Sequence, residues 1–151
     1  LDVWENEPDI DTALAARADI ATPHIAGYSL DARIRCTHAV YKQVCRHFKK
    51  SYNEHPAPIA GRTIDLTGIP PDADLTKAAV LSSYDVRADH ARLHAVHRLD
   101  ARERGAFFAW LRNDYPVRRE FSATTLRLPA DTAPAARDVL GRLGFQGVSE
   151  G

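Results

Sequence analysis

The 151-residue sequence predicts an α/β fold in two parts. Three observations carry this prediction. Short β-prone runs alternate with segments of helical period, one long amphipathic helix begins at Leu30, and an aperiodic, proline-containing stretch at 51–60 divides the chain.

In chain order, residues 1–4 are apolar apart from Asp2 and read as a strand, ended by Glu5-Asn6-Glu7-Pro8 because Pro8 has no N–H for a ladder. Ile10, Ala13 and Leu14 lie at helical spacing, so 9–16 is predicted as a short helix. Residues 19–22 read as a brief buried strand stopped by Pro23. From Leu30 the apolar positions Ile34, Tyr41, Val44 and Phe48 follow at steps of three, four and their sums. Ser29 or Asp31 can cap this helix, and Lys49-Lys50 suit its C-terminus. Beyond 51–60, a strand is predicted at 62–66 and a helix at 74–84. Ala101–Asn113 reads as a helix burying Phe107, Trp110 and Leu111. A strand at 119–128, a helix at 133–143 closed by Gly144, and a last strand at 145–148 complete the pattern. This tail reads as a small α+β domain. The expected division is therefore 1–50, a linker at 51–60, and 61–151.

Composition narrows the function classes. Acidic and basic residues number 20 each, so no basic excess attracts nucleic acid or anionic lipid. No apolar run approaches the roughly 20 residues of a membrane helix, and nucleic-acid and membrane partners are not expected. Cys36 and Cys45 lie more than two turns apart on one predicted helix, too far for a mutual disulfide, and both read as packing residues. A reducing, cytoplasmic setting fits them. With no methionine and an abrupt strand-like opening, Leu1 is expected to be an internal position of a longer protein.

Glu7 and His24 both lie where the chain leaves a predicted strand, and in open α/β sheets ligands gather at the carboxyl ends of strands. A carboxylate bonded to an imidazole holds the ring in one orientation and stabilises its protonated form, which suits proton transfer at a hydroxyl or carbonyl. Three other groups invite attention. Arg87, Arg118 and Arg119 could bind phosphate, although a salt-bridged turn is the commoner use of such arginines. His90, His94 and His97 have helix-like spacing, but their polar setting favours a surface cluster over a metal site. Phe107, Phe108 and Trp110 could face a partner, with core packing expected for at least two of them.

Two motifs in order, LDVWENEP and then ATPHIAGYS, resemble the end of the nucleotide-binding domain in the D-2-hydroxyacid dehydrogenase family. The resemblance implies that residues 1–50 are the C-terminal end of a Rossmann-type NAD-binding core with its crossover helix. It makes His24 the general acid/base at the substrate C2 oxygen and Glu7 its hydrogen-bonded partner. Asp2 and Gly27 fall at NAD-binding positions, and Tyr28 at a substrate-contacting one. The continuing segment HIAGYSLDARIRCTHAVY, with the tail markers YDVR, YPVRRE and LGF, is similar to a branch of the family with an extra C-terminal dimerisation domain. That branch implies a homodimer acting on a small phosphorylated 2-hydroxy acid, with NAD as cofactor and no metal. The family's catalytic arginine and glycine-rich loop do not occur in this sequence, so the chain alone is expected to be inactive. Two other readings stay open, a dehydrogenase-like assembly or regulatory module and a different 2-hydroxyacid dehydrogenase with a regulatory tail.

Overall fold

A computed structural model describes residues 1–53, 59–146 and 148–150, the last three by their backbone alone. Part of the expected linker at 51–60, with His55, lies outside the described residues. The elements are α1 (Thr12–Arg17), α2 (Leu30–His47), β1 (Arg62–Asp65), α3 (Leu75–Ser83), α4 (Val86–His94), α5 (Ala101–Asn113), β2 (Thr124–Leu128), α6 (Pro134–Arg142) and β3 (Val148–Glu150), with 3-10 turns at Ala95–Arg98 and Phe121–Ala123.

Contacts group the chain into two compact units, Leu1–Tyr28 with Asp85–Val117, and Ser29–Tyr84 with Arg118–Gly151. Each unit takes a segment from either side of 51–60, so the units cut across the sequence division into 1–50 and 61–151. No described helix is long and apolar enough to cross a membrane.

In the second unit the strands lie in the order β1-β2-β3, parallel throughout, with Ile64 opposite Leu126 and Leu126 opposite Val148. This corrects the α+β expectation for the tail, which is α/β. Parallel neighbours need long crossovers, and α6 supplies one between β2 and β3. Thr124, Leu126 and Leu128 alternate inward along β2 and meet Ile64, Leu66, Ala79, Leu140 and Phe145. The predicted strand at 119–128 shrinks to Thr124–Leu128 because Arg119 and Glu120 are engaged by Asp31. The last strand is Val148–Glu150 against 145–148 predicted; the amide of Phe145 still closes α6 on the carbonyl of Leu140, while that of Gln146 already bonds Thr124 O of β2. Gly144 closes α6 at φ +96°, a left-handed position that favours glycine.

Helix α2 begins where Ser29 Oγ accepts from Ala32 N, one of the two predicted caps. Its apolar stripe does not form a core. Cys45 is buried, while Val40, Tyr41, Val44 and Phe48 stay open, and Cys36 is exposed rather than packed. The other predicted cap, Asp31, instead clamps Arg119 at 2.9 Å, with both side chains nearly buried. Arg35 forks onto Glu120 with two bonds of 2.8 Å.

The guanidinium of Arg119 holds the Asp31 carboxyl below the ordinary carboxylate range, and that of Arg35 does the same for Glu120. A carboxylate whose folded pKa is lowered stabilises the fold above its unfolded pKa, near 4, and loses that contribution as pH falls through the folded value. Denaturant melts should therefore find the chain more stable than Asp31→Asn at neutral pH, with the gap shrinking below about pH 4. A gap that stays constant through that range would contradict the assignment.

The first unit has no strand ladder at 1–4 or 19–22, both predicted as strands. Leu1 N donates to Ile20 O at 2.7 Å, and Thr22 N to Leu1 O at 3.0 Å, the pattern of a single parallel bridge. It extends no further because side chains capture the remaining donors. Trp4 N goes to Glu7, Ala21 N to His90, and Ile25 N and Ala26 N to Asp2. Asp11 caps α1 through the amides of Ala13 and Leu14, so the helix starts later than predicted and Ile10 enters the core ahead of it.

Helix α5 follows its predicted span, opened by a capping box of Asp100 and Glu103. Its buried face is Gly105, Phe108 and Leu111, with Phe107 packed at the edge and Trp110 half exposed rather than buried. Core packing thus takes two of the three aromatics. Helix α4 was not predicted, because Asp89 occupies one of its buried positions and breaks the apolar period.

Candidate active site

The site lies wholly within the first unit and is built on the loop after Thr22. Ala21, Thr22 and Pro23 are buried, and the Trp4 indole donates to Thr22 O at 2.9 Å, fixing where the chain emerges. His24 then takes φ +55°, a left-handed conformation uncommon for a residue with a side chain. Asp2 holds that reversal. Its Oδ1 accepts from Thr22 Oγ1 at 2.6 Å and Ile25 N at 2.9 Å, and its Oδ2 from Ala26 N at 3.0 Å. Burial acts to raise the Asp2 pKa, but these three bonds and nearby His24 outweigh it and leave the pKa lowered. Asp2 is therefore a carboxylate at neutral pH and a structural brace for His24.

His24 Nδ1 faces both oxygens of Glu7, at 3.0 and 2.9 Å. Trp4 N donates to the Oε1 of the same carboxylate at 3.0 Å, which aims it at the ring. An ionised carboxylate only accepts, so the shared proton belongs to Nδ1 and the Nε2 lone pair is left to take a proton. His24 is 41% exposed against 17% for Glu7, so the carboxylate is shielded while the imidazole stays accessible. The sequence pairing of Glu7 with His24 is thus present as a contact.

Tyr28 packs edge-on against Tyr115, with centroids 5.7 Å apart, and the Arg112 guanidinium lies 5.6 Å from the Tyr28 ring centre. Arg112 Nη1 is also 3.7 Å from Glu7 Oε2. Tyr115 donates to Asp89 at 2.6 Å, which ties the far side of this group to α4. A Cβ added at Gly27 would meet nothing within 4 Å, so this chain does not itself demand glycine there. At Gly105 the turn through Pro8 and Asp9 lies so close that a Cβ would press on Asp9, which seats the Glu7 turn on α5.

Sequence reasoning missed Arg112, named Tyr115 only as part of a motif, and read His90 only as part of a surface histidine cluster. His90 Nδ1 accepts from Ala21 N at 3.1 Å across a separation of 69 residues, and no local spacing signals such a contact. The remaining candidates resolve structurally. Arg87 pairs with Asp85, Arg119 with Asp31, and Arg118 lies over the Tyr84 ring. The rings of His90, His94 and His97 pack in series, tilted and then edge-on, and among the described residues no group of three His, Cys, Asp or Glu side chains could hold a metal ion.

Residues 58–144 match the family model described as "Domain of unknown function (DUF3410)", and the chain belongs to this family. Across 97% of its length it is also similar to proteins named erythronate-4-phosphate dehydrogenase. It is 36% identical to that of Marinobacter nauticus, covering 39% of the relative, and 39% identical to that of Cellvibrio japonicus, covering 40%. The same share of the chain is 40% identical to that of Chromohalobacter salexigens, covering 38% of it. The chain thus spans about two fifths of the length of the curated relatives it matches.

Proposed function

We propose that this chain is the C-terminal part of an NAD-dependent 2-hydroxyacid dehydrogenase that oxidises 4-phospho-D-erythronate at its 2-hydroxyl, a step toward pyridoxal phosphate. The observation that carries the reading is the two-point contact of Glu7 with His24 Nδ1, which leaves Nε2 for a substrate hydroxyl. It occurs in a chain whose relatives bear that enzyme's name.

In this reaction the C2–H bond leaves as hydride and the C2–O–H proton passes to His24 Nε2, giving the 2-keto acid. NAD supplies the hydride acceptor when bound. Glu7 orients the ring and places a negative charge beside it as it takes up the second proton. Asp2 and Gly27 fit a nicotinamide nucleotide. Asp2 Oδ2 takes one amide where a carboxylate oxygen can accept two bonds, and the open space at Gly27 lets a flat ring approach the backbone. Tyr28 contacts the substrate. The intact enzyme acts as a cytoplasmic homodimer, with 61–151 contributing the dimerisation domain.

The chain alone holds no GxGxxG loop and is inactive by this reading. The test is NADH formation from 4-phospho-D-erythronate and NAD by the intact protein, with the 151-residue chain as the negative control. An intact protein that reduces no NAD in that assay defeats the reading.

A further inference from the structure

Arg112 enters the Glu7–His24 site from the last turn of α5, where any cation suits the helix C-terminus. That general preference does not account for its surroundings. The nearest acid, Glu7, gives it only a loose ion pair: both Glu7 oxygens face His24 Nδ1, Oε1 also accepts from Trp4 N, and Arg112 Nη1 stands off from Oε2 at 3.7 Å. Arg112 Nε is buried and has no hydrogen-bond partner among the described residues. The side chain as a whole is 30% exposed. Arg35, Arg87 and Arg119 differ from it in kind, since each forks onto a carboxylate with bonds of 3.2 Å or less. A guanidinium has five donors in a rigid plane, and an unpaired buried one calls for an explanation.

Three features of the setting supply that explanation. Tyr28 backs the guanidinium and restricts its orientation. Glu7 Oε2 is shared by Arg112 and His24, so the cation and the proton carrier lie within the length of one small substrate. The Glu7 charge would repel an anionic substrate, and Arg112 offsets it at the same point.

We propose that Arg112 is the phosphate-binding residue of this site, its fork receiving the terminal phosphate of the substrate whose 2-hydroxyl lies at His24. This rests on the hydroxyacid dehydrogenase reading above. It assigns to the family's C-terminal domain a contact with the substrate itself, in addition to any part in assembly.

The test compares kcat/KM for 4-phospho-D-erythronate and D-erythronate in the intact enzyme and in Arg112→Met and Arg112→Lys. The ratio favouring the phosphorylated substrate should fall on the order of 10²-fold in Arg112→Met, through KM, since hydrogen bonds to charged groups carry effects of that size. Arg112→Lys, which keeps the charge and loses the fork, should fall between. Calorimetric titration with inorganic phosphate reads the same residue without turnover, and phosphate affinity should drop in Arg112→Met. If the intact enzyme oxidises neither compound but binds phosphate through Arg112, the dehydrogenase reading fails while the phosphate assignment stands. Equal losses on both substrates, or phosphate affinity indifferent to Arg112, would overturn the proposal. Should Arg112→Met not fold, Arg112→Lys decides by the same ratio.

Discussion

By the dehydrogenase reading proposed above, replacing His24 by Asn in the intact protein should lower kcat on the order of 10³-fold, with KM for the hydroxy acid little changed. Asn is the appropriate substitute because it tolerates the left-handed backbone that His24 adopts at φ +55°, so the loop held by Asp2 keeps its shape. Its amide can still donate to Glu7, which retains the orienting contact. What disappears is a nitrogen able to accept the hydroxyl proton at the position of Nε2. Positioning and the hydride acceptor remain, which is why the loss is confined to the part of the rate that proton transfer provides. Glu7→Gln offers an internal comparison, because an amide can donate to Nδ1 and move the ring proton to Nε2, the wrong tautomer for a base. Steady-state and single-turnover rates of NADH formation measure both variants. A loss below about tenfold for His24→Asn would remove His24 from the chemistry.

What the sequence made legible depended on how local the determining interaction is. Helices α2, α3, α5 and α6 carry their own period and caps, and their spans were read closely. The strand expected at 1–4 failed because its donors go to side chains, and no propensity anticipates that Trp4 N will bond Glu7. Helix α4 was hidden for a related reason. Its inward Asp89 is a poor core residue until Tyr115, 26 positions later, donates to it. The tail's elements were recognised but not their parallel pairing, which depends on how the crossovers run rather than on the strands themselves. The site divided the same way. Glu7 and His24, 17 residues apart, were legible through two ordered motifs, whereas Arg112 enters from a helix that nothing in those motifs points to. Tyr28 was read as a substrate contact, and its role as the backing for Arg112 emerged only once α5 lay beside it.

Phe108→Ala should unfold the first unit, and with it the site, while the second unit keeps its structure. Phe108 is 1% exposed and packs with Trp4, Ile10, Ala15, Ala21, Leu93 and Leu111, so it joins α5 to both segments that frame His24. Truncating a buried Phe to Ala costs about 3–5 kcal/mol in lost transfer energy and cavity. The unit has about 60 residues, and at ~0.05–0.15 kcal/mol per residue its whole stability is roughly 3–9 kcal/mol. One substitution can therefore consume most of it. No neighbouring side chain can refill the space, because Leu93, Ala15 and Ala21 are already fully buried. Trp110→Ala on the same helix removes a larger side chain that is 49% exposed, and should cost far less. Hydrogen exchange separates the two outcomes by region. In Phe108→Ala the amides of α4, α5 and residues 20–26 should exchange rapidly while those of β1, β2 and α6 stay protected. Uniform loss of protection across both units would instead mean that they fold as one cooperative body, and that the contacts uniting Glu7, His24 and Arg112 depend on the sheet as much as on Phe108.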